Sequence, residues 1–391
     1  MREFVGKIVS HISALALLVG AVTSAVSADA ITSFDSKFRA AVKKHKVPGA
    51  AYAIIKDGKI VETKGYGKRS LGTGNPVDTD TVFRLASVSK TFAADLTALL
   101  VAEGKLSWDD KVSMYVPNFK LKTPGHAEKL TINHLLSHST GLIPNAYDNM
   151  LEDGWSLQKI IPRFKRLKPI CKPGNCYGYQ NIVFSFIEPV IEKRTGQPYE
   201  ALVEERILKP LDMETASLGL QGFLKTSNRA EPHVLTRKGW YRSRVKENYY
   251  NVAPAAGVNA SITDLAKWVR AHMGANTDVL SEEVLDMVTA KRIRTKREMN
   301  KRVWRPVLED AHYGYGWRIY KIGGEEIVLH AGGVAGFRSL VGFSKKHGVG
   351  HVMLMNAETR SIDQLGAEFW AEFAKDVHRS AQLAGNTVAA R

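Results

Sequence analysis

Phe83-Arg84-Leu85-Ala86-Ser87-Val88-Ser89-Lys90-Thr91-Phe92 is the stretch that decides the fold. Apolar residues continue from it at helical spacing through Leu96, Leu99 and Leu100, and Gly104 follows. That pattern predicts a buried helix over Ser87–Glu103 with the serine at its start. A serine hydroxyl is a weak nucleophile without a base beside it. A lysine three positions on lies on the same helix face, roughly 5–6 Å away between Cβ atoms. Burial and the positive end of the helix dipole both disfavour an ammonium there. Ser87 is therefore the candidate nucleophile and Lys90 the candidate base. Spacing alone does not choose this pair, because Ser156/Lys159 and Ser243/Lys246 repeat it. Those two copies lie in charged, loop-like surroundings, whereas Ser87 opens an apolar helix.

Two further elements lie downstream. Tyr-x-Asn occurs at Tyr147/Asn149, Tyr179/Asn181 and Tyr249/Asn251. A tyrosine can move a proton between serine and leaving group, and an asparagine can orient a substrate amide. Tyr179/Asn181 is preferred because it stands between a cysteine loop and a long helical segment. His330-Ala331-Gly332-Gly333 comes at the end of a strand-like run. Glycines there allow close backbone approach, and a free N–H with that of Ser87 would form an oxyanion hole. His134 and His138 are four apart, but Leu135 stands where a zincin carries Glu, so the pair reads as structural and no metal site is expected.

Outward from these motifs, Asp57-Gly58 separates two strand-like runs and predicts a hairpin. The middle of the chain is mostly helical: Thr131–Ser137, Asn181–Thr195, and a helix capped by Ser261 that runs through Val269. The C-terminal part returns to strands over Tyr315–Ile322, Glu326–His330, Ser339–Phe343 and His351–Met355. An amphipathic helix over Ile362–Val377 closes it. The expected fold class is α/β of the α+β type: an antiparallel sheet built from both termini, flanked by helices, with a mostly helical domain inserted. The division is 31–84 plus 311–378 for the sheet domain and 85–310 for the helical domain, with the active site at their interface and a tail over 379–391.

The first residues differ in kind. Arg2 and Lys7 precede an apolar run from Ile12 to Val26 and two small-x-small sites, which reads as a signal peptide over 1–28. A periplasmic or secreted protein follows, with no transmembrane segment after cleavage. In an oxidising compartment Cys171 and Cys176 would close a small ring around Pro173-Gly174, contributing about 2 kcal/mol. A redox pair would want a two-residue spacer, and no further cysteine is present for a metal. The formal charge is +16 over 391 residues. Much of it falls in the basic 291–305 segment, which suits a solvated loop or an anionic cell-envelope surface. No nucleic-acid module accompanies it.

The order Ser-x-x-Lys, Tyr-x-Asn, His-x-Gly resembles the serine β-lactamase and penicillin-binding-protein superfamily, in the branch of class C β-lactamases, D-Ala-D-Ala carboxypeptidases and related esterases. Leu130–Leu142, Tyr313–Trp317 and His330–Arg338 resemble further segments of that branch. The resemblance implies the β-lactamase/transpeptidase-like fold and no cofactor. It implies that Ser87 is acylated, Lys90 is its base, Tyr179 relays protons and Asn181 holds the acyl amide. The N–H groups of Ser87 and Gly333 would stabilise the oxyanion, with His330, Gly332 and Arg338 among the substrate-binding residues. Class C enzymes carry Lys-Thr-Gly where this chain has His330-Ala331-Gly332, so Arg318 or Arg338 is left to meet a substrate carboxylate. The expected activity is hydrolysis of β-lactams or peptidoglycan-like D-amino acid amides. An esterase on the same site, or a penicillin-binding protein with slow turnover, are the alternatives.

Overall fold

A computed structural model describes residues 28–389; the predicted signal peptide over 1–28 therefore lies outside the described residues but for Ala28. Strands β1 (Gly49–Lys56) and β2 (Lys59–Gly67) form the hairpin that Asp57-Gly58 signals. Both turn residues have positive φ, 51° and 69°, as a tight primed turn requires. Six more strands come from the C-terminal third: β3 (Ile293–Arg294), β4 (Leu308–Tyr313), β5 (Arg318–Ile322), β6 (Glu325–Val334), β7 (Phe337–Ser344) and β8 (Val349–Met355). The sheet is antiparallel in the order β2-β1-β8-β7-β6-β5-β4-β3. The two ends of the chain meet where Ala50 pairs with Met355.

Period-two alternation explains why β1 is central. Ala50, Tyr52 and Ile54 join one apolar cluster with Phe34, Phe38 and Trp370, while Ala51, Ala53 and Ile55 join the other with Trp268 and Val269. Helices α1 (Phe34–Lys44) and α4 (Ser361–Ala389) cover the first face. The second face carries the inserted helical part, including α2 (Ser89–Ala102) and α3 (Ile262–Arg270). Helix α2 is apolar nearly all round, so it sits inside the protein, with Phe92 stacked on Trp268 at 4.0 Å. Ser261 caps α3 by accepting from the Asp264 N–H at 3.2 Å.

Several boundaries differ from expectation. Ser87 is not in the α-helix: a 3-10 turn over Ala86–Val88 carries it, and α2 begins at Ser89. Helix α4 does not stop at Val377 but continues to Ala389 through the segment read as a tail. Strands β3 and β4 extend the sheet below residue 311. Glu309, Asp310 and Arg294 hid them, because charges are poor strand formers; in the fold Arg294 and Asp310 pair across these two strands and Glu309 is exposed. Part of the basic segment is thus sheet edge, with Lys291, Arg294 and Lys301 paired to Glu326, Asp310 and Glu298. No helix of the described residues is long and apolar enough to cross a membrane.

Candidate active site

Ser87 sits on a tightly held turn. Phe83-Arg84 pairs with Asn259-Ala260, and the Leu85 N–H donates to the Val258 carbonyl. Ala86 then takes φ 49°, an uncommon angle for a residue with a side chain. From the other side, the Ser339 hydroxyl donates to the Leu85 carbonyl at 2.6 Å. A Cβ on Gly332 would collide with that same carbonyl and come within 3.1 Å of the Ser87 nitrogen. Strand β6 therefore lies against the serine turn at a distance only glycine permits.

Lys90 is fully buried and its amine has three neighbours. Ser87 Oγ lies at 3.3 Å, Asn181 Oδ1 at 2.7 Å and the Ala255 carbonyl at 3.1 Å. Burial pushes this amine well below the ordinary lysine range; Asp148 opposes the shift and Arg318 adds to it. Ser89, the other serine of the motif, is committed elsewhere, its oxygen accepting from the Val258 N–H at 2.9 Å.

The Tyr179/Asn181 segment reaches the site through its loop. Cys171 and Cys176 are disulfide-bonded. The loop they close is tied down by Gly174 N–H to the Ser139 carbonyl, and the chain just after it by Gly178 N–H to the His138 carbonyl, both 2.8 Å. The Tyr179 ring then lies 4.8 Å from Lys90 Nζ. Enclosure raises its phenol above the ordinary tyrosine value; Arg318 and the Ser87 hydroxyl beside it act the other way. Asn181 is fixed at both ends: its Oδ1 accepts from Lys90, and its Nδ2 donates to Asp148 Oδ2 at 2.6 Å.

The end of β6 borders the same space. His330 is fully buried and shares a hydrogen bond with the Tyr313 hydroxyl at 3.1 Å. Burial, then the charge of Arg318, hold its imidazole far below the usual histidine range, so it is neutral. Gly333 is exposed, one residue beyond the glycine against the serine turn. Arg338, its cross-strand partner, packs on it: a Cβ there would be 2.9 Å from Nη1. Arg318 does not fit the carboxylate role, since its guanidinium is turned to buried Glu298 at 2.8 Å.

The structure thus brings Ser87, Lys90, Tyr179, Asn181, His330, Gly332, Gly333 and Arg338 to one place. The rival motif copies are elsewhere occupied: the Tyr147 hydroxyl donates to the Arg163 carbonyl and the Tyr249 hydroxyl to Glu152. Three neighbours escaped the sequence reading. His138, read as structural, lies 4.2 Å from the Tyr179 ring and accepts from the Gln180 N–H. Asp148 holds Asn181, and Glu298 neutralises Arg318. The Thr-Gly after His138-Ser139 hinted at a special loop, but nothing local to Asp148 or Glu298 announced them, because their partners are 33 and 20 residues away.

A family model described as "Beta-lactamase" matches residues 34–375. Among curated proteins, "Protein flp" of Staphylococcus aureus (strain MW2) is 25% identical over 334 residues, covering 83% of this chain and 62% of that protein. "Unguisins hydrolase ungD'" of Aspergillus campestris is 29% identical over 306 residues, covering 74% of this chain and 55% of that protein. The chain thus spans about three fifths of the length of the curated relatives it matches. Among solved structures, an octameric penicillin-binding protein homologue from Pyrococcus abyssi superposes with a TM-score of 0.76 at 27% identity, covering 86% of this chain and 76% of that one.

Proposed function

This chain belongs to the beta-lactamase family, within the serine β-lactamase and penicillin-binding-protein superfamily, and from that premise we propose that it is a serine hydrolase working through an acyl-enzyme on Ser87. The observation that carries this is the Lys90 amine. A neutral amine has two N–H donors and one lone pair. Asn181 Oδ1 and the Ala255 carbonyl take the donors, which leaves the lone pair for the Ser87 hydroxyl at 3.3 Å. As Ser87 Oγ bonds to the substrate carbonyl carbon, its proton passes to Lys90. The carbonyl oxygen gathers charge between the N–H groups of Ser87 and Gly333. Tyr179 carries the proton on to the leaving group, which departs protonated and leaves the acyl ester on Ser87. Water, deprotonated through the same groups, then releases the acid.

The substrates in this reading are peptidoglycan-like D-amino acid amides or β-lactams, met in the periplasm or outside the cell. A second reading, an esterase on the same residues, draws on one observation. The third motif offers neutral His330 and methyl-bearing Ala331 where a charged lysine and a hydroxyl would grip a carboxylate. A relative named as a hydrolase supports turnover over mere binding.

The test is to give the protein a chromogenic cephalosporin, a p-nitrophenyl ester and a D-Ala-D-Ala peptide while following intact mass. Turnover of one names the substrate class, with a transient adduct on Ser87. Ser87→Ala should remove the adduct and cut turnover by on the order of a thousandfold or more. Full activity of Ser87→Ala on all three would overturn the proposal.

A further inference from the structure

Residues 170–180 lie along residues 138–145 and reach the active site from there. The Ile170 N–H donates to the Gly141 carbonyl, Gly174 to Ser139 and Gly178 to His138, each at 2.8 Å, and the Asn145 N–H donates to the Tyr179 carbonyl at 2.7 Å. Between Gly174 and Gly178 this lacing has a gap. Among the described residues, no backbone group of Cys176 or Tyr177 takes part in a backbone hydrogen bond, and the Asn175 N–H closes only the local turn onto the Lys172 carbonyl. The bond from Cys176 to Cys171 spans that gap. Cys171 is itself seated on the opposite segment: a Cβ on Gly141 would stand 2.3 Å from its carbonyl oxygen. The residues just after Cys176 turn into the site. The Tyr177 hydroxyl accepts from Arg318 Nη1 at 3.4 Å, and its ring lies 6.0 Å from His138 and 5.6 Å from Tyr313. Tyr179, two residues on, is the ring 4.8 Å from Lys90 Nζ. The far side of the loop faces water: Lys172, Gly174 and Asn175 are exposed and both cysteines are half-buried, so a small thiol reaches the bond from solvent. The whole sequence holds only these two cysteines, so any thiol-dependent change in the protein passes through them.

We propose that the Cys171–Cys176 bond is a redox-sensitive clamp on the active-site tyrosines: closed, it holds Tyr177 and Tyr179 in place for the reaction at Ser87, and its opening by a dithiol slows that reaction. The inference rests on the Ser87 hydrolase reading and adds a control to it. In the opening step a thiolate of the dithiol attacks one sulfur, and the other leaves and takes a proton. The reductant's second thiol then displaces the mixed disulfide, frees the remaining cysteine as a thiol and closes the reductant into its own disulfide. Two electrons and two protons thus pass to the protein, and the dithiol is oxidised by the same two. Once the bond is open, the stretch from Lys172 to Tyr177 regains backbone freedom, with one hydrogen bond, from Gly174, to hold it. That slack enters beside groups whose placement sets proton transfer, where a displacement of about 1 Å is enough to cost up to a hundredfold in rate.

The wild type is reduced with dithiothreitol, desalted under nitrogen and assayed on whichever of the cephalosporin, the p-nitrophenyl ester and the D-Ala-D-Ala peptide it turns over. Thiol alkylation and intact mass give the fraction opened. Turnover should fall in step with that fraction, by about fivefold or more at full reduction and chiefly in kcat. Re-oxidation should restore it. The Cys171→Ser/Cys176→Ser double variant should sit at the reduced level and be unchanged by the same treatment. A melting curve of the reduced protein sets the assay temperature well below its transition. A fall that appears only as the protein unfolds would overturn the clamp. Full, Ser87-dependent turnover after complete reduction would also overturn it and leave the hydrolase reading standing. If the oxidised protein turns over none of the three substrates, the hydrolase reading fails instead, and amide hydrogen exchange decides the clamp by itself. Faster exchange of the Gly178 and Asn145 N–H groups on reduction supports it; unchanged exchange overturns it.

Discussion

In the proposed mechanism Lys90 works only if its amine stays neutral, and two residues pull that equilibrium in opposite directions. Arg318 disfavours the ammonium; Asp148 favours it. Asp148 is itself buried, which raises its carboxyl to about 6, with the Asn181 hydrogen bond holding it back. Above that pH it is ionised and faces the Lys90–Asn181 pair. Asp148→Asn removes the negative charge, so the Lys90 amine should lose its proton at lower pH. The acidic limb of the kcat/KM profile should then move down by roughly one pH unit. An unchanged limb would show that Lys90 is not the group titrating there. His138 completes this layer. Burial first, then Lys90 and Arg318, keep it uncharged against the Tyr179 ring, so it packs without adding charge beside the amine.

Strand β6 and the turn over Ala86–Val88 act together as elements. The strand brings the Gly333 backbone beside the serine only because Gly332 has no Cβ to strike the Leu85 carbonyl. Gly332→Ala should force the strand away from the turn. A fall in kcat of at least tenfold is expected, with a stability loss of about 1–3 kcal/mol. Steady-state kinetics beside a melting curve checks this; wild-type kcat would mean the close approach is not needed. The glycines of β6 were legible as an edge that something approaches. What approaches it was not, since Leu85 and Gly332 are far apart in the chain. Strands β1, β2 and β5 to β8 were legible because their apolar runs are bounded by turn residues. Strand β4 was missed because a register shift interrupts its alternation, so that Leu308, Ala311 and Tyr313 are buried, and Glu309 and Asp310 dominate its appearance.

Across the whole molecule, the buried Arg318–Glu298 pair links the sheet to the segment before β4. Burial alone would raise the Glu298 carboxyl, but Arg318 and Lys301 outweigh it and hold it at about 2, with the Tyr320 hydroxyl donating at 2.7 Å. An unfolded glutamate takes its proton near 4.5, so the pair's contribution is fully present above that pH. It should be lost as pH falls from about 4.5 towards 2, a change of roughly 3 kcal/mol. Comparing denaturant unfolding of the wild type and Glu298→Gln over that range checks it. The variant should be less stable at pH 7, because it leaves Arg318 buried without a counter-charge, and the gap should narrow in acid. A gap that does not change with pH would remove Glu298 from the acid response.

The sequence by itself determined the fold class and the order of motifs that points to the family, and it put forward Ser87 and Lys90 among three similar pairs. Those are local properties: periodicity, turn residues and short spacings. Tertiary structure decided that the serine sits on a strained turn and not in the helix. It also turned Arg318 inward to Glu298 and set Asp148 behind Asn181. Each of these depends on which distant charges share a low-dielectric space, and burial fixes that strength in a way no spacing along the chain encodes.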